Sequence, residues 1–277
     1  MMTPKEKNYF MPAEWYPHKC CWMQWPYNNP KHNGYGNIPS WSHFDFEKGR
    51  LAWANVANSI VEFEKVKMMT HPDEIMIANK LLDSRVEVIE LKIDDCWARD
   101  SGAIFLLNNK NQLGGIDWEF NGWGKFKPFD SDNKVAKFMI ENSKATYFKN
   151  SMILEGGSIH VDGEGTLLTT EQCLLNKNRN PQLSKAEIEN NLKEYLNINK
   201  IIWLKNGTDE GTDGHVDNIA CFVKAGTVLA LSCKDKNDPF YERINENLEI
   251  LKTSTDNLSL IHISEPTRPE RIAYGGV

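Results

Sequence analysis

The chain has 277 residues, a net charge of −6 and a charged fraction of 25%, which is typical of a globular protein. It lacks the clustered Lys and Arg of a nucleic-acid surface, so the composition argues against a nucleic-acid partner. No apolar run is long enough for a membrane span and no signal-peptide core is present, which predicts a cytoplasmic protein without a membrane partner. The six cysteines form no CxxC pair, so no zinc ribbon is expected.

Four helices are predicted in chain order from apolar periodicity and from capping residues. The first covers residues 46–64 and presents Trp53, Val56, Ile60 and Phe63 on one face. The other three are expected to begin at Pro72 as the first helical residue, at Ser184 with Glu187 completing a capping box, and at Asp238 before Pro239.

Short β-rich runs separated by Gly and Asp turns lie between these helices. Three acidic, glycine-containing turns, around Asp100, Glu155 and His215, recur at separations of 55 and 60 residues. This spacing indicates a repeated ββα-type module. The predicted strands cover residues 86–93, 103–107, 114–120, 158–161, 166–170, 200–204, 219–223 and 228–231.

The run DDCWARDSG, residues 94–102, places carboxylates beside Trp97 and Arg99 at the end of an apolar strand. A carboxylate binds a guanidinium through paired hydrogen bonds, and an aromatic face packs against it, so Asp94, Asp95 or Asp100 together with Trp97 are candidates for binding a planar cation. A local Arg–Asp ion pair explains the same residues, and both interpretations stay open.

The run LEGGSIHVDGEG, residues 154–165, places Glu155 before a Gly-Gly pair that allows a tight turn or a close ligand approach. Asp162 and Glu164 are interpreted as parts of a hairpin turn. His160 lies on the strand before that turn, where a structural role is expected.

The run GTDGHVDN, residues 211–218, contains His215 and Asp217 two positions apart. On a strand both would point to one side, where the imidazole transfers protons and the carboxylate holds a cation. A metal site is the alternative, but the sequence offers no third ligand for it. The residues suit a guanidinium or amidine, whose resonance-stabilised carbon calls for a thiolate nucleophile.

These strings, together with MPAEWYPHKCCWMQWP over residues 11–26, resemble agmatine deiminases of the pentein, or guanidine-modifying, superfamily. The motifs occur in family order over residues 9–255. The resemblance implies an α/β fold, a pentein-type propeller of ββαβ modules whose last module is incomplete or missing. It also implies the hydrolysis of agmatine to N-carbamoylputrescine and ammonia in putrescine biosynthesis, without a metal or organic cofactor, by a homo-oligomer.

The same resemblance assigns roles to individual side chains. Asp100 and Asp217 would grip the guanidinium, and His215 would act as general acid and base. Glu155 would hydrogen-bond His215, and Trp97 would pack against the substrate.

The family's nucleophilic cysteine belongs to a GGGxIHC-like segment, and no such segment occurs in this sequence. Residues 256–277 do not resemble the family, and 258–271 resemble translated sequencing-adapter DNA, so this tail is interpreted as foreign to a truncated domain. None of the six cysteines is expected to substitute, because Cys221 is predicted to be a core thiol and Cys173 has no acid–base partner in view.

Two other functions stay open. The chain could bind a guanidinium without turnover, or it could catalyse another superfamily reaction such as arginine deimination or amidino transfer. The sequence assigns no Arg to the α-carboxylate of an arginine substrate.

Overall fold

A computed structural model describes residues 2–29, 45–125 and 128–255, and the backbone of residues 262–264. It contains four sheets, each covered by helices. The strands are β1 (Tyr9–Phe10), β2 (Cys20–Gln24), β3 (Lys65–Thr70), β4 (Glu87–Glu90), β5 (Ile104–Asn108), β6 (Leu113–Glu119), β7 (Thr146–Ile153), β8 (Ile159–Val161), β9 (Thr166–Thr170), β10 (Lys200–Leu204), β11 (Ala220–Lys224), β12 (Thr227–Ala230) and β13 (His262–Ser264). The helices are α1 (Phe46–Ile60), α2 (Ile75–Leu81), α3 (Ala98–Ser101), α4 (Val135–Asn142), α5 (Glu171–Leu174), α6 (Lys185–Leu196) and α7 (Tyr241–Thr253).

Three of the sheets share one module. In each, an antiparallel hairpin is followed by a helix and then by a strand that pairs parallel to the second hairpin strand. The modules are β5-β6-α4-β7, β8-β9-α6-β10 and β11-β12-α7-β13. The remaining sheet, β2-β3-β4, is parallel throughout and carries α1 and α2. The predicted α/β class and its ββαβ repeat are therefore confirmed.

Capping and periodicity explain where the longer helices begin and which face they bury. Ser184 accepts a hydrogen bond from the Glu187 backbone and Glu187 returns one, so the predicted capping box starts α6. The buried face of α6 is made by Ile188, Leu192 and Leu196. Such burial of the apolar stripe supplies most of the stability of a helix in a protein.

Two of the four residues predicted for the buried apolar face of α1 are exposed. Val56 is 51% exposed and Phe63, which lies beyond the helix, is 92% exposed. Ala54 and Ala57 are buried instead, and Trp53 packs against the same core. Small alanines allow the helix to approach the sheet closely, which periodicity of large apolar residues does not reveal.

Several elements were absent from the sequence-based prediction. Helix α4 and strands β1, β2, β3 and β7 were not predicted. Strand β3, of sequence KVKMMT, alternates Lys with apolar residues only at its start, and its last three residues are all buried. No helix of the described residues is long and apolar enough to cross a bilayer.

Candidate active site

Three short helical turns position the site, and each directly precedes the first strand of a ββαβ module. Helix α3 contains Asp100 before β5, a single 3-10 turn over Gly156–Ser158 follows Glu155 before β8, and a second one over Val216–Asn218 follows His215 before β11. The predicted recurrence of these turns is thus confirmed. Because the modules are equivalent, their turns meet at one end of the fold.

Asp100 is buried and held by two donors. The Gly157 backbone N–H donates to its Oδ1 at 3.0 Å, and the Trp123 indole N–H donates to its Oδ2 at 3.0 Å. Both bonds orient the carboxylate. The Trp123 backbone lies in the left-handed region, with φ of 54°, a conformation that costs energy and is often retained at functional sites.

Gly157 lies where three of the predicted side chains converge. A Cβ added there would lie 2.5 Å from His215 Nδ1, 2.6 Å from Asp217 Oδ2 and 2.8 Å from Asp100 Oδ1. Only a residue without a side chain leaves space for all three groups. The structure therefore brings together Asp100, His215 and Asp217, which the sequence had offered as separate candidates.

Glu155 is fully buried and paired with an equally buried Arg179. The Arg179 Nε–H donates to Glu155 Oε1 at 2.6 Å, and Nη1 donates to Asp213 Oδ2 at 2.8 Å. Burial alone would raise the pKa of Glu155, but His215 and Arg179 outweigh it and leave that pKa below its usual value. Glu155 is therefore an anion inside the protein.

His215 lies between two carboxylates. Its Nδ1 is 3.8 Å from Asp100 Oδ1, and its Nε2 is 3.9 Å from Glu155 Oε2, an ion-pair distance rather than a hydrogen bond. Burial lowers the pKa of His215, but Asp100, Cys173 and Glu155 together raise it well above its usual value. The surrounding carboxylates therefore favour the imidazolium, a form suited to donating a proton.

Asp217 lies within the 3-10 turn Val216–Asn218, so the predicted placement of His215 and Asp217 on one strand is wrong. The two side chains still meet at Gly157, because the tight turn reverses the chain between them. Asp217 is the most exposed of the converging carboxylates. The pKa of Asp217 is raised, mainly because its carboxyl group is buried. The charge of Asp100 raises this pKa further, and His215 opposes the rise.

Trp97 precedes α3 and is partly exposed. Its ring packs edge-on against Trp53, with centroids 5.6 Å apart and planes at 81°. This contact with the helix of the parallel-sheet module fixes the indole next to the turn that contains Asp100. The partly exposed ring, held in place by Trp53, offers an aromatic face to a cation. The contact of Trp97 with substrate stays a prediction.

The prediction that Cys173 lacks an acid–base partner is wrong. Cys173 lies on α5, which Thr170 caps, and its sulfur is within 4.8 Å of ligand atoms of Glu155 and His215. Burial raises the pKa of the Cys173 thiol despite the opposing effect of His215. A fully buried thiol of this kind is a weak nucleophile.

The donor atoms of Glu155, Cys173 and His215 are near enough together to be considered as metal ligands. A divalent cation there would lie close to the Arg179 guanidinium, whose Nε is 2.6 Å from Glu155 Oε1, and His215 would have to release its proton to bind it. The buried positive charge of Arg179 opposes such an ion. The arrangement favours binding and transferring protons over holding a metal.

The other residues singled out by sequence have structural surroundings. His160 is buried on β8, where its Nδ1 accepts from the Phe222 backbone at 3.2 Å and its Nε2 lies 3.2 Å from Glu14. Asp162 accepts from the backbone of Glu164 at 2.8 Å, as expected of a hairpin turn. These contacts confirm the structural interpretations made from the sequence.

The run that contains Asp100 also contains three charged residues with structural partners. Arg99 pairs with Glu14, so the predicted local Arg–Asp pair is not the one formed. Asp94 accepts from the backbone N–H of Ser131 at 2.7 Å. The side chain of Asp95 accepts from the following backbone N–H at 2.7 Å.

Two residues of the site were missed by sequence reasoning. Trp123 lies in the string GWG, whose paired glycines signalled an unusual backbone. Arg179 lies in the string NKNRNP, and nothing in its local pattern distinguishes a fully buried Arg from a surface one. Only the tertiary structure shows that it neutralises Glu155.

Comparison with known proteins identifies a family for this arrangement. The family model of Porphyromonas-type peptidyl-arginine deiminases matches residues 10–275, a range that extends past the boundary predicted at residue 255. A Legionella pneumophila protein, provisionally assigned as an agmatine deiminase, is 47% identical over 257 residues, covering 92% of this chain and 71% of its own. A Pseudomonas aeruginosa agmatine deiminase is 43% identical over 262 residues, covering 92% and 68%.

A solved structure agrees with the sequence comparison. The agmatine deiminase of Enterococcus faecalis superposes with a TM-score of 0.88 at 36% identity, over 98% of this chain and 74% of that one. The similarity therefore extends over nearly all of the fold described above.

Proposed function

Because the chain belongs to the Porphyromonas-type peptidyl-arginine deiminase family, we propose that its site binds the guanidinium of agmatine for hydrolysis to N-carbamoylputrescine and ammonia. The observation that carries the proposal is the convergence of Asp100, Asp217 and His215 around Gly157. Two carboxylates and a proton donor in one place match a planar cation that must lose one nitrogen as ammonia.

The carboxylates hold the substrate. Asp100 is fixed by Gly157 and Trp123, so its orientation is set before the ligand arrives. Asp217 is the more exposed partner and has a raised pKa, which a bound guanidinium would lower by favouring the charged carboxylate. Trp97 would cover the face of the bound cation.

His215 and Glu155 handle protons. The imidazolium would protonate the departing ammonia, and the neutral ring formed in that step would then take a proton from the attacking water. Glu155 keeps the ring charged from 3.9 Å, while Arg179 fixes the Glu155 carboxylate on its other oxygen. Cys173 adds a third neighbour of the ring.

The attacking thiolate is assigned to none of the six cysteines of this sequence. Cys173 is the thiol nearest to His215 among the described residues, but it is fully buried and its pKa is raised. Cys221 lies on β11 with a pKa also raised by burial. The absence of the nucleophile therefore stays a prediction, and guanidinium binding without turnover is the alternative function.

Agmatine is favoured over arginine by the charges around the site. Arg99 pairs with Glu14, and Arg179 pairs with Glu155 and Asp213. Within residues 2–29, 45–125 and 128–255, both arginines beside the site are thus already occupied by protein carboxylates. Neither is available to bind the α-carboxylate that distinguishes arginine from agmatine.

Titration calorimetry with agmatine and with arginine, together with an ammonia assay, tests this proposal. We expect agmatine to bind and Asp100→Asn to weaken it by about tenfold or more, since one charge-assisted pair is lost. Asp45→Asn, the same change at an exposed helix cap, is the matched control. Equal binding by Asp100→Asn would refute the assigned site.

The ammonia assay separates turnover from binding alone. No ammonia release with agmatine binding intact supports a binding site without its thiolate. Ammonia release that Cys173→Ala abolishes would instead identify Cys173 as the nucleophile. Homo-oligomeric assembly, a cytoplasmic location and the separate nature of residues 256–277 stay predictions.

A further inference from the structure

A second cluster of metal-ligand side chains lies away from the site, on the sheet that is parallel throughout. His18 precedes β2, Cys21 lies on β2, and Glu64 lies in the turn between α1 and β3. One ligand atom from each comes within 4.8 Å of the others. From this geometry we propose that His18, Cys21 and Glu64 bind a borderline-soft divalent cation, Zn²⁺, at the protein surface.

The distances within the cluster match those between ligands of a tetrahedral zinc ion. His18 Nδ1 is 3.5 Å from Glu64 Oε1, and Cys21 Sγ is 3.3 Å from the same oxygen. Tetrahedral bonds of Zn²⁺ to nitrogen, oxygen and sulfur separate these atom pairs by about 3.4 and 3.6 Å. Two donor pairs therefore already have the separation of shared ligands, and the third pair, Cys21 and His18, lies within 4.8 Å.

The hydrogen bond on the far side of the His18 ring prepares it to bind a metal. His18 Nε2 is 2.9 Å from the backbone oxygen of Glu14 and can only donate to it. The proton of the neutral ring is then on Nε2, and the lone pair of Nδ1 faces Cys21 and Glu64. A ligating His is commonly oriented by such a bond from its other nitrogen.

The local charge also suits a cation. Among the described residues no Lys or Arg forms an ion pair with Glu64, and its Oε2 is buried without a hydrogen-bond partner. This contrasts with Glu155, which Arg179 neutralises. Cys21 now donates its thiol proton to Glu64, and binding of Zn²⁺ would form a sulfur–zinc bond and release that proton to solvent.

The composition of the cluster selects the ion. One sulfur, one nitrogen and one oxygen donor suit Zn²⁺, whereas Mg²⁺ and Ca²⁺ prefer oxygen ligands alone. The side chain of His18 is 50% exposed, so water can reach the ion and complete its fourth position. The ion would tie the segment before β2 to the α1–β3 turn.

The proposal is tested by titrating the metal-free protein with Co²⁺. This ion replaces Zn²⁺, and an absorption band reports its binding to a thiolate. We expect a thiolate-to-cobalt band with one ion per site, displaced by Zn²⁺. Cys21→Ser should remove it. Cys20→Ser, the adjacent thiol, and Cys173→Ser, the thiol beside His215, should leave it unchanged.

His18→Gln and Glu64→Gln provide variants whose folding does not depend on the thiol. Each should weaken Co²⁺ binding by about tenfold or more. Loss of a residue that only hydrogen-bonds to a metal ligand already has an effect of this size, and loss of a ligand should cost at least as much. No thiolate band in the parent protein, or a band that survives Cys21→Ser, overturns the proposal. A band lost in Cys173→Ser assigns the ion to the buried cluster and also overturns it.

Discussion

Replacing Gly157 by Ala is the most direct perturbation of the site. The new methyl group would lie 2.5 Å from His215 Nδ1, 2.6 Å from Asp217 Oδ2 and 2.8 Å from Asp100 Oδ1. All three distances are below about 3.0 Å, the closest that a Cβ ordinarily approaches another heavy atom. The three groups must therefore move apart, by about half an ångström in the case of His215.

The size of this movement sets the expected effect. A hydrogen bond to a charged group contributes about 1.5–3 kcal/mol, so displacing one guanidinium contact predicts about tenfold weaker agmatine binding, near 1.4 kcal/mol. Overpacking of a buried position should also lower the free energy of unfolding by about 1–3 kcal/mol. The backbone N–H of residue 157 stays available to Asp100, so the loss reflects space rather than a missing donor.

Titration calorimetry and thermal unfolding of the same samples separate the two effects. Gly115→Ala is the matched control, because its Cβ would lie 2.5 Å from Ile140 Cγ1 in the core, away from the site. We expect Gly115→Ala to lower the melting temperature and to leave agmatine binding unchanged. Gly157→Ala that binds agmatine as tightly as the parent would refute the packing argument.

Two further predictions concern the buried charges. Arg179→Met leaves Glu155 buried and unpaired, so unfolding should become easier by about 3–5 kcal/mol in denaturant titrations. Arg85→Met, which breaks only exposed ion pairs, should lower the free energy of unfolding far less, and equal losses would contradict the role of burial. The second prediction is a pH dependence of stability. Because the pKa of His215 is raised in the folded state, its protonation stabilises the fold. This contribution is complete below pH 6.5, the ordinary pKa of His, and is lost as the pH rises through the folded pKa. In NMR titrations, Asp100→Asn should lower that folded pKa, and an unchanged value would contradict the assigned cause.

The positions of the acid–base residues could be predicted because the turns that contain them have local signals. Asp100, Glu155 and His215 follow one another at a nearly constant interval, and each stands beside glycines that permit a tight turn. Equivalent turns of a repeated module meet at one end of the fold. The sequence therefore offered Asp100, His215 and Asp217 as candidates, but their convergence was left to the structure, where Asp217 lies in a 3-10 turn rather than on a strand.

The neighbours that tune these residues could not be predicted in the same way. Arg179, Trp123 and Cys173 reach the site from separate segments of the chain, and their local sequence patterns do not distinguish them from surface or core residues. His18 and Glu64 are 46 positions apart in the sequence, yet their side chains meet. Such contacts depend on how the sheets pack.

The sequence by itself determined the fold class, the repeated module, the capping of α6 and the candidate acid–base residues Asp100, Glu155 and His215. These features follow from short-range chemistry, since caps, turns and periodic apolar residues act within a few positions. Only the tertiary structure decided which charges are buried together, and hence that the pKa of Glu155 is lowered and that of His215 is raised. The physical reason is that a pKa depends on burial and on neighbouring charges, and both are set by contacts between distant parts of the chain.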